Sequence, residues 1–426
     1  MTPKEALDFI DSLDKFGINL GLSRISACMD ALGNPEKRYP AAHVAGTNGK
    51  GSVCAMTSSI LTASGRRTGL YTSPPLEFFG ERMRIDGSLM PDEALPGLLE
   101  EVLEAVRANP ALSGMTQFEI ITAVAFLYFA REKADFAVIE VGMGGRLDST
   151  NIITPKACAI TNVSLEHAEQ LGGTETLIAR EKAGIAKKGV PLATGATGEA
   201  LYEISRVAKE LETPLYVMGR DFTVEEKSGL YNYRGMNISL KNLELGLPGS
   251  YQKDNLAVAL ALVEGLVSSG VTIGEEAIRN GLKNVRWAGR LELFGRGPRI
   301  LLDGAHNPHA ARALAKALES GFPRERLILV LGILGDKDAL SIVRDLAPLA
   351  DEIILTRSDS RRAISPAELG ALSEGVGIKA RVSETLSDAY KTALELAGKG
   401  DLVLITGSLT LVGQARSILR REGWVG

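Results

Sequence analysis

The run Gly46-Thr47-Asn48-Gly49-Lys50-Gly51-Ser52 follows a short apolar strand at 41–45 and leads into a helical pattern. Its residue types suit an anion. Gly46, Gly49 and Gly51 allow a tight, positive-φ path that turns successive N–H groups inward, and a helix starting near Lys50 adds the positive end of its dipole. Lys50 supplies a mobile cation for β- and γ-phosphates, and the Ser52 hydroxyl can reach a phosphate or Mg²⁺. The spacing departs from G-x-x-x-x-G-K-[ST], because Val44 stands where the first glycine falls and Gly51 where the hydroxyl falls. An ordinary glycine turn is the plain alternative. The lysine, glycines and hydroxyl falling together between strand and helix favour a phosphate cradle.

Two of the four histidines lie in polar segments at predicted strand ends: His167 in Ser164-Leu165-Glu166-His167, and His306 in Asp303-Gly304-Ala305-His306-Asn307-Pro308. Ser73, Glu140 and His167 can all reach the carboxyl edge of one sheet beside Lys50. There they would offer a hydroxyl, a carboxylate and an imidazole to a divalent ion, for which Mg²⁺ carried by ATP is the natural candidate. Mg²⁺ prefers oxygen, so the imidazole would suit a second metal. The competing reading pairs Glu140 in a salt bridge and buries His167 in a hydrogen-bonded core. Gly142-Met143-Gly144-Gly145 fails as a dinucleotide fingerprint because Leu147 occupies the position of the third glycine, and no G-x-S-x-G elbow occurs.

The elements that must position these groups alternate strand and helix, which defines an α/β protein. The fold expected is a P-loop-type doubly wound ATPase domain with a smaller, Rossmann-like C-terminal α/β domain. Residues 1–40 read as one or two covering helices. Strands are expected at 68–72, 136–141, 157–162 and 190–194, with helices at 91–107, 118–130 and around Arg180-Glu181-Lys182. Ser73-Pro74-Pro75 forms an irregular loop at a strand end. Residues 221–247 read as an antiparallel excursion, followed by a helix at 252–268. Phe294-Gly295-Arg296-Gly297-Pro298 has no hydrophobic periodicity, so the domains expected are 1–293 and 299–426, joined by a linker at 294–298.

A chain of 426 residues is long enough for two or three cores. With 48 basic residues against 52 acidic ones and no long run of one sign, nucleic acid and membrane surfaces are not expected partners. Cys28, Cys54 and Cys158 are scattered, which fits buried thiols in a reducing compartment better than a disulfide framework. The N-terminus has no apolar signal core and the most apolar helical run, 120–130, is too short to span a bilayer. The expected location is cytoplasmic and the expected state is a monomer.

Several segments occur in a telling order: Gly46 to Ser52, Thr72-Ser73-Pro74, Gln117-Phe118-Glu119, Glu140 to Asn151, Arg180 to Ile185, Gln252 with Asn255, Gly289-Arg290, Asp303 to Pro308 and Gly407 to Gly413. On these the chain closely resembles the folylpolyglutamate synthase and dihydrofolate synthase family of the Mur ligase superfamily, over nearly its whole length. The resemblance implies ATP bound between two domains, contacting Gly46, Thr47, Asn48, Gly49, Lys50, Gly51 and Ser52 together with Asn255, Arg290 and Asp303. It implies Mg²⁺ on Ser73, Glu140 and His167, and a carbamylated Lys182. Phe118, Glu119 and Leu147-Asp148-Ser149 correspond to the pteroate-binding residues, and His306 and Ser408 to positions associated with incoming L-glutamate. Lys50, Lys182 and His306 are thereby the expected catalytic residues, and the small-molecule partners are ATP, L-glutamate and a pteroate or folate. The family reaction makes an acyl phosphate from a carboxylate and ATP, which the glutamate amine converts to an amide.

Pro75, Glu166, Ala168 and Tyr251 depart from the family pattern, where histidine, aspartate, a hydroxyl residue and histidine are usual. None of them is an expected metal ligand, so they bear on substrate preference more than on ATP use. The alternatives are a Mur-like ligase acting on a different carboxylate and a catalytically silent nucleotide-binding protein. The joint presence of Lys50, Ser73, Glu140, His167, Lys182 and Asp303 disfavours the silent binder.

Overall fold

The computed structural model describes residues 1–13, 17, 19–165 and 171–425. The chain divides into two compact units, one of residues 1–246 and 253–285, the other of residues 247–252 and 286–426.

In the first unit the strand order is β4-β3-β2-β5-β1-β6-β7-β8. These are β1 (Ala41–Ala45), β2 (Thr68–Tyr71), β3 (Met83–Ile85), β4 (Ser88–Leu89), β5 (Phe136–Glu140), β6 (Ala157–Ile160), β7 (Leu192–Thr194) and β8 (Leu215–Val217). β2 through β8 in that spatial order run parallel, and β3 and β4 close one edge antiparallel. β1 is buried along its whole length and flanked by β5 and β6, as expected of a continuous apolar run in a sheet covered on both faces. One face carries helices Pro3–Ser12, Ser23–Ala31, Leu95–Ala108 and Gln117–Arg131, whose core includes Ile10, Ile25, Leu99, Phe126 and Phe129. A second cluster joins Ala45, Val141 and Ile160 to helices Glu175–Ala183 and Gly198–Glu210. Helix Lys50–Ala63 packs on helix Glu275–Asn284, where Ser59 Oγ donates to the Gly281 carbonyl at 2.7 Å. Residues expected as an antiparallel excursion form a three-stranded meander of β9 (Thr223–Lys227), β10 (Leu230–Arg234) and β11 (Ser239–Leu243).

The second unit is a six-stranded sheet, β12-β13-β17-β14-β15-β16. Its strands are β12 (Glu292–Phe294), β13 (Arg299–Leu302), β14 (Leu327–Leu331), β15 (Glu352–Leu355), β16 (Arg381–Val382) and β17 (Leu402–Thr406), parallel except for β12. Helices Pro308–Gly321, Ala339–Leu346, Pro366–Glu374, Leu386–Leu396 and Leu409–Arg421 alternate with them.

Two expectations need correction. The stretch 294–298 is not a linker: β12 pairs with β13, so its glycines and Pro298 make the turn of a hairpin inside the second unit, whose long continuous stretch starts at Arg286. β6 ends at Ile160 rather than Asn162, because Thr161 and Asn162 turn away to hold the cradle. Cys28, Cys54 and Cys158 are free and buried. Among the described residues, no helix is long and apolar enough to cross a membrane.

Candidate active site

The cradle is built at the carboxyl end of β1, between two parallel neighbours, where open α/β sheets present a crevice. Gly46 and Gly49 have φ of +144° and +84°, and Gly49 is the N-cap of helix Lys50–Ala63, which no side chain caps. A Cβ on Gly46 would lie 1.8 Å from Thr161 Oγ1, and one on Gly49 2.1 Å from Asn255 Oδ1, so both turns require glycine. Asn255 therefore stands against the loop.

Polar groups beyond β6 fix the loop from below. Thr161 Oγ1 and Asn162 Nδ2 donate to the Asn48 carbonyl at 2.6 and 3.0 Å, while Asn162 Oδ1 accepts the Asn48 N–H at 3.0 Å. The Thr47 hydroxyl donates to the Ser164 carbonyl and accepts the Ser164 N–H. Sequence reasoning missed these supports, although the polar run Thr161-Asn162 straight after a buried strand was a usable signal. Replacing Gly49 with alanine adds left-handed strain of about 1–3 kcal/mol and drives the new methyl into Asn255. The expected outcome is loss of ATP binding by isothermal calorimetry together with an unfolding midpoint lowered by about 2–8 °C.

Both lysines of interest meet at this loop. Lys50 Nζ donates to the carbonyls of Gly46 and Thr47 at 3.2 and 3.1 Å, and the buried Lys182 Nζ donates to the same Gly46 carbonyl at 2.8 Å. Glu140 closes β5 in register with Val44 of β1 and is 5% exposed; its Oε2 accepts the Ser73 N–H at 3.2 Å. Lys50, Lys182, Ser73 and Glu140 thus gather at one sheet edge, while His167 lies outside the described residues. A buried carboxylate with a hydroxyl residue beside a phosphate cradle fits the oxygen-donor chemistry of Mg²⁺. Among the described residues no group of three or more His, Cys, Asp or Glu forms a ready-made metal cluster, so Ser73 and Glu140 are the donors on hand.

The residues expected to take the acid fall into two kinds. Phe118 is half-buried, its ring against Gly142 and 6.4 Å from that of Tyr71, so it presents a stacking surface next to the strand end. Glu119 is instead largely engaged in structure. It completes a capping box with Thr116, accepting the Thr116 N–H at 2.8 Å, and takes Arg24 Nε at 3.0 Å. Asp148 is similarly committed: its carboxylate accepts the N–H groups of Met143 and Thr150, each at 2.9 Å, and the Thr150 hydroxyl. Burial raises its pKa from the ordinary value and these donors oppose the rise. Asp148 therefore shapes the loop on which half-buried Leu147 and buried Ser149 are carried. Asn151 ties that loop to the helix of Lys182 by donating to the Arg146 and Gly184 carbonyls, and Arg146 pairs with Glu181.

His43, which the sequence reading passed over, lies under this loop. It is fully buried in β1 with Nε2 2.9 Å from Thr150 Oγ1. Burial, with a smaller contribution from Lys187, pushes its pKa down to about 3 from 6.5. Below pH 6.5 the unfolded chain therefore takes up a proton that the folded chain refuses, and stability falls by about 1.4 kcal/mol per pH unit towards pH 3. Urea unfolding at pH 7 and pH 5 should show a smaller acid loss in His43→Phe than in the wild type.

In the second unit Asp303 follows β13. It is buried and accepts Tyr251 Oη and the Leu291 N–H, both at 3.0 Å, and the Ala305 N–H at 2.9 Å. Burial raises its pKa, opposed first by the charge of Arg290. Tyr251, one of the departures from the family pattern, thus holds Asp303. His306 Nδ1 is 2.8 Å from the Gly304 carbonyl, and Ser408 caps helix Leu409–Arg421 by accepting the Leu411 N–H. β13 and β17 are parallel neighbours, and the Gly407 N–H donates to the Ala305 carbonyl, which brings the His306 and Ser408 loops to one edge.

A glycine-rich phosphate cradle in a doubly wound unit, followed by a smaller parallel unit with polar loops at its carboxyl edge, defines an ATP-dependent acid–amino-acid ligase of the Mur type. The family model for the Mur ligase middle domain matches residues 44–263, and that for the Mur ligase glutamate ligase domain matches residues 289–409. The chain is 35% identical over 427 residues to dihydrofolate synthase/folylpolyglutamate synthase of Bacillus subtilis (strain 168), covering 98% of this chain and 99% of that protein. The solved Mycobacterium tuberculosis folylpolyglutamate synthase complexed with ADP superposes with a TM-score of 0.91 at 34% identity, covering 97% of this chain and 98% of that one. The Yersinia pestis bifunctional folylpolyglutamate synthase/dihydrofolate synthase complexed with AMPPNP and Mn ion gives 0.89 at 32%, covering 99% and 98%. The chain belongs to the dihydrofolate synthase/folylpolyglutamate synthase family.

Proposed function

We propose that this ligase is bifunctional, adding the first L-glutamate to dihydropteroate and further L-glutamates to reduced folates. The observation that carries the reading is the meeting of Lys50, Lys182, Ser73 and Glu140 at one cradle beside the Phe118 ring. The two acids share a pterin and benzoyl body and differ in the carboxylate end, so one cradle serves both if the ring system docks in two positions. Phe118 stacks on the aromatic body, Glu119 fixes the helix start that carries Phe118, and the Leu147-Asp148-Ser149 loop closes over the ring system.

ATP lies with its phosphates on Gly46, Thr47, Asn48, Gly49, Lys50, Gly51 and Ser52, and Asn255, Arg290 and Asp303 contact the nucleotide. Lys50 neutralises charge on the β- and γ-phosphates as the acid carboxylate takes the γ-phosphoryl group. His306 and Ser408 hold glutamate so that its neutral amine attacks the acyl carbon, forming the amide and expelling phosphate. Ser73, Glu140 and His167 would hold Mg²⁺, which when bound supplies positive charge to the phosphates.

Lys182 is carbamylated in the active enzyme. Two ammonium groups hydrogen-bonded to one carbonyl repel each other, and converting one to a carbamate replaces that repulsion with attraction to Lys50 and to a cation. The protein acts as a cytoplasmic monomer.

The test is to supply purified protein with ATP, Mg²⁺ and glutamate plus either dihydropteroate or tetrahydrofolate. Product from both acids is expected. Product from tetrahydrofolate alone reduces the activity to folylpolyglutamate synthase, product from dihydropteroate alone to dihydrofolate synthase, and product from neither discards the folate assignment.

A further inference from the structure

We infer that His43 is a positioning residue for the acid substrate: from inside β1 it fixes, through Thr150 and Asp148, the loop carrying Leu147 and Ser149. The inference rests on the assignment of that loop to the acid.

The proton inventory sets the direction of each bond. Thr150 has one hydroxyl proton, and it goes to Asp148 Oδ1. His43 Nε2, 2.9 Å from that hydroxyl oxygen, is therefore the donor, and the neutral ring carries its proton on Nε2. Nδ1 is consequently an acceptor, and it is buried with no hydrogen-bond partner. An orphaned buried acceptor destabilises the fold, and it sits in a strand whose other residues, Ala41, Ala42, Val44 and Ala45, are all apolar. An apolar side chain would fill the same place without that cost. What the imidazole adds is the Nε2–H, which polarises the Thr150 hydroxyl and strengthens its donation to Asp148.

Asp148 in turn closes the loop by accepting the Met143 and Thr150 N–H groups. Leu147 and Ser149 are its sequence neighbours, so their placement follows the carboxylate. The anchor stands on the strand that runs into the cradle, with Gly46 just beyond its end. One strand is thus the common reference for the loop that takes the acid and the turn that takes the phosphates. Phosphoryl transfer demands that acid oxygen and phosphorus be aligned closely, and small misplacements far from the chemistry are costly.

His43→Phe removes the donor and keeps a ring of similar breadth. Steady-state kinetics should show the acid KM raised about tenfold and kcat lowered, with the ATP KM within about twofold of wild type. His43→Gln, which can return an N–H near the Nε2 position, should recover most of the loss. Thr150→Val removes the relay hydroxyl without changing size and should reproduce the His43→Phe phenotype, which covers the case of a His43→Phe protein that does not fold. Leu147→Ala and Ser149→Ala separate the two claims. If neither alters the acid KM, the assignment of the loop to the acid fails. If they raise it while folded His43→Phe or Thr150→Val leaves it unchanged, or raises the ATP KM equally, the positioning role is overturned.

Discussion

Lys50→Ala is expected to lose about 10³-fold or more in ligation rate while folding normally. Lys50 is half-buried at the first turn of helix Lys50–Ala63, and its ammonium reaches back only to carbonyls of the cradle. No apolar core depends on it, and alanine is a good helix former, so the unfolding midpoint should stay near that of the wild type. Phosphoryl transfer, in contrast, leaves little covalent work to the protein and depends on positive charge placed at the phosphates. Steady-state phosphate release and urea unfolding on the same preparation separate the two effects. Near-normal turnover in a folded Lys50→Ala protein would remove the cradle from the mechanism.

Lys182→Ala carries the second large effect. Activity should fall by about 10²-fold or more, because the change deletes a charged group buried against Gly46 in a site governed by electrostatics. ATP binding should survive, since Thr161 and Asn162 hold Asn48 without help from Lys182. Carbamylation adds a spectroscopic arm: enzyme equilibrated with ¹³C-bicarbonate should show one carbamate carbon resonance that Lys182→Ala lacks. Full activity in protein that never shows the resonance would contradict the assignment, as would a signal undiminished in the variant.

The same two lysines show what a sequence can disclose. Lys50 was legible because glycine, lysine and hydroxyl occupy a short contiguous run between a strand and a helix, and local chemistry sufficed. The placement of Lys182 on Gly46 rests on residues far apart in the chain, and only the resemblance pointed to it. The strand and helix alternation was clear wherever a parallel strand is buried on both faces, as in β1, β5 and β17. It failed for the short β3 and β4, which show little apolar periodicity, and at 294–298, where glycine and proline mark a hairpin turn as readily as a linker.

Side-chain partners were least legible of all. Phe-Glu at 118–119 suggests a ligand contact, yet Glu119 completes the capping box of its own helix and pairs with Arg24. Thr116 three residues earlier carried that signal. His43 gave none, because a single histidine in an apolar strand has no pattern, and its meaning depends on Thr150 packing over it.

The most direct test of the central claim follows oxygen from the acid carboxylate. Dihydropteroate and tetrahydrofolate, each labelled with ¹⁸O in the reacting carboxylate, are turned over with ATP, Mg²⁺ and glutamate, and the released nucleotide and phosphate are analysed by mass spectrometry. An acyl phosphate requires one labelled oxygen in each inorganic phosphate, with unlabelled ADP, for both acids. Unlabelled phosphate, or label carried into AMP, would contradict the account.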